Sequence, residues 1–412
     1  MHNIIKIAIR NLVRYRRRTL LTASLITIGV VFVIVFIAVS GSFKNMMIGQ
    51  ITDSMLGHIQ IHKKGYVSSI DNLPLNLALK EAAVKEIGAA LDGMPNVEAY
   101  SVRIKFGGMF SNFAETTNIR LNAVYPEKEF KTVPLLIDRI IDGKKGLQRG
   151  EIFIPELLAK GMNVKPGDTA VIIATNRDGS VNGKQFIVTG VLGSLSGPGG
   201  RDGYIHYEDG VELLRMDEPE ASEIAVRLKD FGALYKAEAM MKKLLVKNAN
   251  GDIAGLLEVH TWETLSPFFN IAKMIDVMTV FIRIMLVAIV LVSIMNVMIM
   301  AVYERIREIG TIAAIGTMPG KILSMFMVEG LCLGAAGSVL GGIIGVIVVF
   351  AINIAKVKFN FGMQTGLVLK ASVNPSDLFA ISIIVIIISL IASLQPAFKA
   401  SRMEPITALR HV

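Results

Sequence analysis

The sequence predicts a membrane protein with four transmembrane helices and a large extracytoplasmic α+β domain inserted between the first and second helices. Its 412 residues are 52% hydrophobic and have a mean hydropathy of +0.54, which is more apolar than soluble domains are. Between the first two predicted spans lie 227 residues, Lys44–Asn270, that alternate short strand and helix patterns. The uncharged runs are Thr19–Phe43, Ile284–Tyr303, Gly330–Ala355 and Leu378–Phe398.

The amino terminus is basic. Residues 1–18 contain six Lys or Arg and no acidic residue, and they predict a cytoplasmic amphipathic helix before the first span. Beside an apolar run, such a cluster is explained more simply by anionic lipid than by nucleic acid. The span 19–43 has 25 residues, or about 37 Å as a helix, and crosses a hydrocarbon core of ~30 Å. It exceeds the ~7–15-residue apolar region of a signal peptide, so we expect a retained helix.

Residues 44–270 predict an extracytoplasmic α+β domain of two lobes, because strand and helix patterns alternate along them. His58 and His62 would project from one strand face, but a metal site needs more ligands than two. Strands are predicted at His58–His62, Ile119–Val124, Glu151–Ile154, Thr169–Ile173, Phe186–Leu192 and Ile224–Leu228, and helices at Lys80–Leu91, Pro155–Lys160 and Ala233–Lys247.

Three features of this domain need a structure to interpret. Phe106, Phe110 and Phe113 lie either in a hairpin packed in the core or in an exposed patch that contacts a partner or a lipid chain. Ser194–Gly203 is rich in Gly and Pro, and we expect a surface loop, because a strand pattern rather than a phosphate-binding helix follows it. Trp262, the only tryptophan, is expected at the membrane surface.

The segment 304–321 lies between the predicted spans 271–303 and 322–355. Ile306, Ile309 and Ala313 recur at helical spacing, so a short helix with one apolar stripe is expected there. It is either a charged turn that fixes the topology or a helix that pushes on a partner at the membrane face.

Charged residues begin this short helix. Opposite charges three residues apart, Glu304 with Arg307 and Arg305 with Glu308, would each contribute ~0.2–0.5 kcal/mol. Gly316 is a natural stop signal for the helix.

The third run is rich in glycine at four-residue spacing, which lets two helices approach backbone to backbone. The contact would be with another span or with a second copy of the chain. Glu329 lies just before this run, and a carboxylate near a span suggests a functional site. Its position near the interface favours simple solvation instead. A loop at 356–377, a span at 378–398 and a tail at 399–412 complete the predicted chain. The glycines predicted to pack helices are Gly334, Gly337, Gly341 and Gly345.

Basic residues also set the orientation. The amino terminus, the segment 304–321 and the tail 399–412 all carry Lys or Arg and fall on one side of the four predicted spans. The positive-inside rule makes that side cytoplasmic, so both termini are inside and residues 44–270 lie outside.

Two motifs carry a family resemblance. Glu304–Gly310 resembles the E-R-x-R-E-I-G motif of MacB/FtsX-type ABC permeases, although Ala313 stands where that family often has arginine. The carboxyl end resembles the family pattern P-A-x-x-A-x-x-x-x-P-x-x-A-L-R at Pro396, Ala397, Ala400, Pro405, Ala408, Leu409 and Arg410. A third segment resembles the family's external domain at Leu158, Ala159, Gly167 and Asp168.

The resemblance, which is strongest to the lipoprotein-releasing (LolC/LolE-like) branch, implies partners and a mechanism. It implies an inner-membrane permease that relays ATP-driven closure of a separate ABC ATPase dimer to a periplasmic domain, whose second lobe is an insertion near 120–220. The other implied partners are a second permease copy or paralogue, a lipoprotein substrate, a periplasmic carrier and membrane lipid. The residues implied to couple to the ATPase are Glu304, Arg305, Arg307, Glu308, Ile309, Gly310 and Gly316.

These 412 residues contain no G-x-x-x-x-G-K-[ST] motif, no H-E-x-x-H motif and no nucleophile elbow. We therefore expect a non-catalytic subunit without a cofactor or metal of its own, with ATP and Mg on the partner ATPase. The alternatives are efflux of peptides or antibiotics from the periplasm, FtsX-like signalling to a cell-wall hydrolase, and a structural membrane protein that has no ATPase.

Overall fold

The computed structural model describes residues 2–194, 202–248, 256–361 and 364–404. The chain divides into a helical unit, residues 1–44, 273–358 and 368–412, and an α+β unit, residues 45–272 and 359–367. Most of the predicted Gly/Pro-rich loop (195–201) and the end of the carboxyl-terminal motif (405–410) lie outside the described residues.

The described helices and strands are numbered here in chain order. The helices are α1 (His2–Arg14), α2 (Arg16–Ile51), α3 (Glu81–Asp92), α4 (Pro126–Thr132), α5 (Leu135–Asp138), α6 (Glu156–Gly161), α7 (Tyr207–Leu213), α8 (Leu234–Asn248), α9 (Trp262–Leu265), α10 (Phe268–Glu304), α11 (Ile306–Ala314), α12 (Pro319–Ile354) and α13 (Pro375–Ser401). The strands are β1 (Ile59–Lys63), β2 (Val97–Ser111), β3 (Thr116–Val124), β4 (Ile140–Gly143), β5 (Glu151–Pro155), β6 (Thr169–Thr175), β7 (Val181–Leu192), β8 (Asp202–His206), β9 (Glu223–Leu228), β10 (Leu257–Thr261), β11 (Lys358–Phe361) and β12 (Gln364–Val368).

Within the described ranges, four helices are long and apolar enough to cross a membrane: Thr19–Leu56, Phe268–Glu304, Pro319–Ile354 and Pro375–Ser401. The predicted span 19–43 covers only part of the first of these helices. Lys44, the first charged residue after the apolar run, does not interrupt backbone hydrogen bonding, so α2 continues to Ile51. At 37 residues, α10 is about 55 Å long and likewise exceeds a hydrocarbon core of ~30 Å.

Glycines on two faces of α12 bring its backbone close to two other helices of the helical unit. On one face, a Cβ at Gly337 or Gly341 would lie 2.6 Å from Ile26 or Val30 of α2. On the other face, a Cβ at Gly334 would overlap Ser389 of α13. The predicted glycine contacts are therefore made between spans of the same chain.

The α+β unit is built on one large sheet. Its strands follow the order β10-β1-β9-β2-β3-β8-β5-β7-β4, and β6 pairs with both β2 and β7. Most pairs are antiparallel, whereas β3 with β8 and β5 with β7 are parallel. Helices α3 and α8 bury apolar residues, such as Ile87 and Met241, in the main core of this unit.

A second, smaller core lies in the region predicted as the second lobe. It joins Val124, Leu136, Phe153 and Tyr204 among others. The strands around it nevertheless continue the sheet of the rest of the unit, so among the described residues of the unit no separate sheet begins near 120 or ends near 220.

For the aromatic residues of the α+β unit, the structure corrects one prediction and decides between two alternatives. Trp262 is only 3% exposed and belongs to the main core, where it contacts Phe269, so it is not a membrane-surface residue. Phe106 and Phe110 are buried in the same core, because both lie on the inward face of β2. The alternative of a hairpin packed in the core is therefore confirmed for these two residues, and the exposed patch for a partner or lipid does not form. Of the three phenylalanines only Phe113, at the hairpin tip, is exposed.

Candidate functional site

The segment with the charged motif folds into the short helix α11, with a defined beginning and end. Arg305 has φ −112° and ψ 18°, so it interrupts the helical backbone between α10 and α11. At the other end, Gly316 has φ +95°, a left-handed conformation that glycine adopts without strain. Pro319 then begins α12 at a position where its missing N–H has no cost.

The predicted apolar stripe of α11 is formed. Ile309 is 2% exposed and packs in the core of the helical unit, with Ala313 at its edge. Several of the residues implied to contact an ATPase instead face inward: Arg305, Ile309 and Gly310 are buried. The exposed members of that set are Glu304, Arg307, Glu308 and Gly316.

The exposed end of α11 also presents apolar side chains that the sequence pattern did not single out. Ile315 is 81% exposed and Met318 is 68% exposed, directly before α12. The sequence did contain a signal for these exposed residues, because both are bulky apolar residues that lie outside the amphipathic stripe of the helix. Together with the exposed charged residues, they form a surface typical of a protein contact.

Arg305 does not pair with Glu308 as predicted, because it stands at the break between the two helices. Its guanidinium instead forms two hydrogen bonds with Glu329 of α12, of 3.1 and 3.3 Å. The two side chains are 2% and 1% exposed. The prediction that Glu329 is solvated is therefore wrong: a cation 24 residues away in sequence neutralises its charge.

The amino-terminal helix reaches the same place. The guanidinium of Arg305 lies over the ring of Tyr15, 4.6 Å from its centre. Tyr15 is the residue that separates α1 from α2. Nearby, Arg14 donates to Glu308 over 3.4 Å, a contact exposed enough to contribute little on its own.

A separate group of buried charges lies in the α+β unit. Arg103 of β2 bridges Glu129 of α4 and Glu223 of β9, each at 2.8 Å. Lys105 also reaches Glu223 at 3.1 Å, and His62 lies 3.6 Å from it. This group ties a helix to three neighbouring strands.

The pKa shifts of this group show which side chains are stabilised in their charged form. Burial opposes ionisation of Glu223, but Lys105, His62 and Arg103 outweigh it and hold its pKa well below 4.5. Burial would lower the pKa of Arg103, yet the two carboxylates raise it. Burial lowers the pKa of His62 below 6.5, against the pull of Glu223. The cluster is thus a nearly balanced ionic core.

The two histidines of the first strand pattern have structural contacts. His58 accepts a hydrogen bond from the backbone N–H of Leu228, and His62 stacks on Tyr66. Over the residues that the structure describes, no three His, Cys, Asp or Glu side chains are grouped so that they could hold a metal ion.

The chain is similar in sequence to known transporter proteins. It is 24% identical to the "Lipoprotein-releasing system transmembrane protein LolC" of Neisseria meningitidis, over 95% of this chain and 94% of that protein. It is 26% identical to the "Macrolide export ATP-binding/permease protein MacB" of Nitrobacter winogradskyi, over 56% of this chain but only 34% of that longer protein. The crystal structure of the periplasmic region of MacB from Actinobacillus actinomycetemcomitans aligns with a TM-score of 0.37 at 14% identity, covering 51% of this chain and 92% of that one.

Family models match both parts of the sequence. Residues 280–405 match the FtsX-like permease C-terminal model, which includes α11 and the helices on either side of it. Residues 19–244, more than half of the chain, match the MacB-like periplasmic core domain. Together with four long apolar helices, these matches identify a multi-pass membrane protein. The chain belongs to the MacB/FtsX family of ABC transporter permeases.

Proposed function

We propose that this chain is the permease subunit of an inner-membrane ABC transporter that releases lipoproteins for transfer to a periplasmic carrier. The observation that carries the proposal is the extent of one match: the LolC relative and this chain align over nearly the full length of both. The MacB relative is named as an ATP-binding protein as well as a permease, and this chain spans about a third of it. We therefore assign ATP and Mg to a separate ATPase.

Helix α11 is the proposed contact with that ATPase. Exposed charged residues lie at its start, with Glu304 at the end of α10 and Arg307 and Glu308 in its first turn. Exposed apolar side chains, Ile315 and Met318, follow its end. An apolar centre with a charged rim is the usual composition of a protein interface. In this proposal both termini and α11 are cytoplasmic, and nucleotide-driven movement of the ATPase shifts α11 and, through the helices, the α+β unit in the periplasm.

Efflux from the periplasm is the second candidate. It is favoured by the match to the macrolide-export relative, which covers 56% of this chain. Efflux and lipoprotein release would use the same ATPase contact and differ in their cargo.

Depletion of the protein in its host separates the two candidates. Lipoprotein release predicts that outer-membrane lipoproteins accumulate in the inner-membrane fraction. Unchanged delivery, combined with increased sensitivity to exported compounds, would instead support efflux.

The ATPase contact has its own test. Ile315→Glu places a charge in the apolar centre, so we expect at least about a tenfold weaker association with the ATPase, equivalent to ~1.4 kcal/mol. The variant should fold normally, because Ile315 is 81% exposed. Phe113→Glu is the matched control, since Phe113 is 68% exposed in the α+β unit and should leave ATPase binding unchanged. Equal ATPase binding by both variants would remove α11 from the interface.

A further inference from the structure

Two helix junctions of the helical unit meet at one point. Tyr15 separates α1 from α2, and Arg305 separates α10 from α11. The Arg305 guanidinium lies over the Tyr15 ring, 4.6 Å from its centre. At Arg305 the backbone leaves the helical conformation, with φ −112° and ψ 18°, so α10 and α11 can bend relative to each other there. At Tyr15, by contrast, helical hydrogen bonds continue, from the N–H of Tyr15 to the carbonyl of Asn11 and from the N–H of Thr19 to the carbonyl of Tyr15. The contact therefore joins the position at which a push on α11 could be lost as bending, Arg305, to the turn between α1 and α2.

Glu329 supplies the fixed point at this junction. Both of its carboxylate oxygens accept from Arg305, at 3.1 and 3.3 Å, and the pair is almost fully buried. A two-point contact between a planar guanidinium and a carboxylate fixes orientation as well as distance. The next residue, Gly330, lets α12 seat so closely on α13 that a Cβ there would lie 2.6 Å from the Cβ of Ser393. Glu329 is thus held at a point where its own helix has little room to shift.

We propose that Glu329 is a positioning residue for transmission: by holding Arg305 at the α10–α11 junction, it makes α11 move with α12, with Tyr15 bringing α1 into the same body. A displacement of α11 is then delivered to α12 rather than absorbed by a bend at Arg305. The role in transmission rests on the proposed function, in which α11 contacts the ATPase. The connection between α11 and α12 can nevertheless be measured without the ATPase.

The test is a distance measurement on the full chain in lipid nanodiscs. Cys332, the only cysteine in the sequence, is replaced by alanine, and spin labels are placed at Ile315→Cys, the residue that caps the end of α11, and at Val339→Cys on α12. Both positions are exposed, at 81% and 60%. We expect a narrow distribution of distances between these labels. Glu329→Gln leaves a buried cation without its counter-charge, so the 315–339 distribution should broaden about twofold.

Three further variants make the result specific. Arg305→Lys keeps the charge but loses the two-point contact, and it should also broaden the distribution. The exchange of the two charges, Arg305→Glu with Glu329→Arg, should narrow it again. Asp377→Asn breaks a different interhelical ion pair of the same unit, Asp377 with Arg283 at 3.3 Å, and should have no effect.

The outcomes are distinguishable. A distribution as narrow in Glu329→Gln as in the parent protein would overturn the proposal, and if that variant does not assemble, an unchanged distribution in Arg305→Lys would do the same. Because Ile315 lies in the proposed ATPase contact, these distances are measured on the chain without the ATPase. If no ATPase binds the parent protein but the distance distributions change in the variants as expected, the proposed function fails and the connection between α11 and α12 through Glu329 still holds.

Discussion

At the scale of single residues, the α+β unit depends on a buried ionic group centred on Arg103. Its guanidinium contacts Glu129 and Glu223, and Glu223 also contacts Lys105 and lies close to His62. Removing one partner from such a group leaves an uncompensated charge away from water, which costs far more than an exposed pair contributes. Trp262 allows this to be measured in the intact chain, because it is the only tryptophan and lies in the core of the same unit.

Glu223→Gln is expected to destabilise the α+β unit by about 3–5 kcal/mol, because it removes a buried counter-charge of Arg103 and Lys105. The measurement is the urea midpoint followed by Trp262 fluorescence. Glu98→Gln is the control: Glu98 pairs with Arg227 at 3.0 Å but is 49% exposed, so a change below about 1 kcal/mol is expected. Similar losses in both variants would show that burial of the group does not govern its energy.

Acid is expected to weaken the same unit through His62. Its pKa is lowered from 6.5 by burial, so the unfolded chain binds the proton more readily than the folded one. The stability contributed by the neutral ring is complete above pH 6.5 and is lost as the pH falls below that value. The urea midpoint should therefore decline from pH 6.5 to about 5 and stay nearly level in His62→Gln.

This pH window stops above 4.5, the ordinary pKa of Glu223, because the lowered pKa of that carboxyl adds a further loss only at more acid pH. Parallel profiles for the parent protein and His62→Gln between pH 6.5 and about 5 would contradict the role of His62.

At the scale of whole elements, α12 organises the helical unit through its glycines. Gly334→Ala adds a methyl group that overlaps Ser389 on α13, and we expect a loss of about 1–3 kcal/mol. The readout is the thermal midpoint of the helical circular-dichroism signal in detergent. Gly342→Ala is the matched substitution on the same helix, because its Cβ would meet only Leu378 at 3.9 Å.

Gly342→Ala should be neutral, or more stable by up to about 1 kcal/mol, since alanine favours the helix over glycine. A drop in midpoint as large as that of Gly334→Ala would mean that helix propensity and detergent packing, rather than the close approach to α13, decide the outcome.

Local pattern predicted the elements well, and distant partners account for what it missed. The predicted strand Ile224–Leu228 and helix Ala233–Lys247 lie within a residue of β9 and α8, because alternation and amphipathicity are properties of a short segment. The environments of Glu329 and Trp262 were predicted wrongly. Their neighbours, such as Arg305 and the core of the sheet, are defined only by tertiary contacts that no local window contains.

At the scale of the whole molecule, the proposed topology places α11 and the tip of the β2–β3 hairpin on opposite sides of the membrane. Phe113→Cys and Ile315→Cys, each in a Cys332→Ala background, should react differently with an impermeant maleimide. We expect position 113 to react when the outer membrane alone is permeabilised, and position 315 only after the inner membrane is opened. Both side chains are well exposed in the chain itself. Because the proposed ATPase would cover position 315, labelling of the purified, ATPase-free protein is the control for reactivity at that position.

The Cys332→Ala parent is the blank for this labelling, because it has no thiol. Reaction at position 315 before position 113 would invert the topology and, with it, the proposed direction of transmission.

The glycine faces of α12 also limit how the molecule can associate with others. Gly337 and Gly341 are filled by α2 and Gly334 by α13, so the shallowest surfaces of the spans are taken up inside a single chain. What α12 turns outward is bulky, with Val339, Ile347 and Phe350 each at least 59% exposed. A neighbouring permease that met α12 on this face would therefore contact large apolar side chains, as lipid tails do. Backbone-to-backbone packing of α12 with a second chain is therefore not expected on that face, because the small residues that allow it are already covered within this chain.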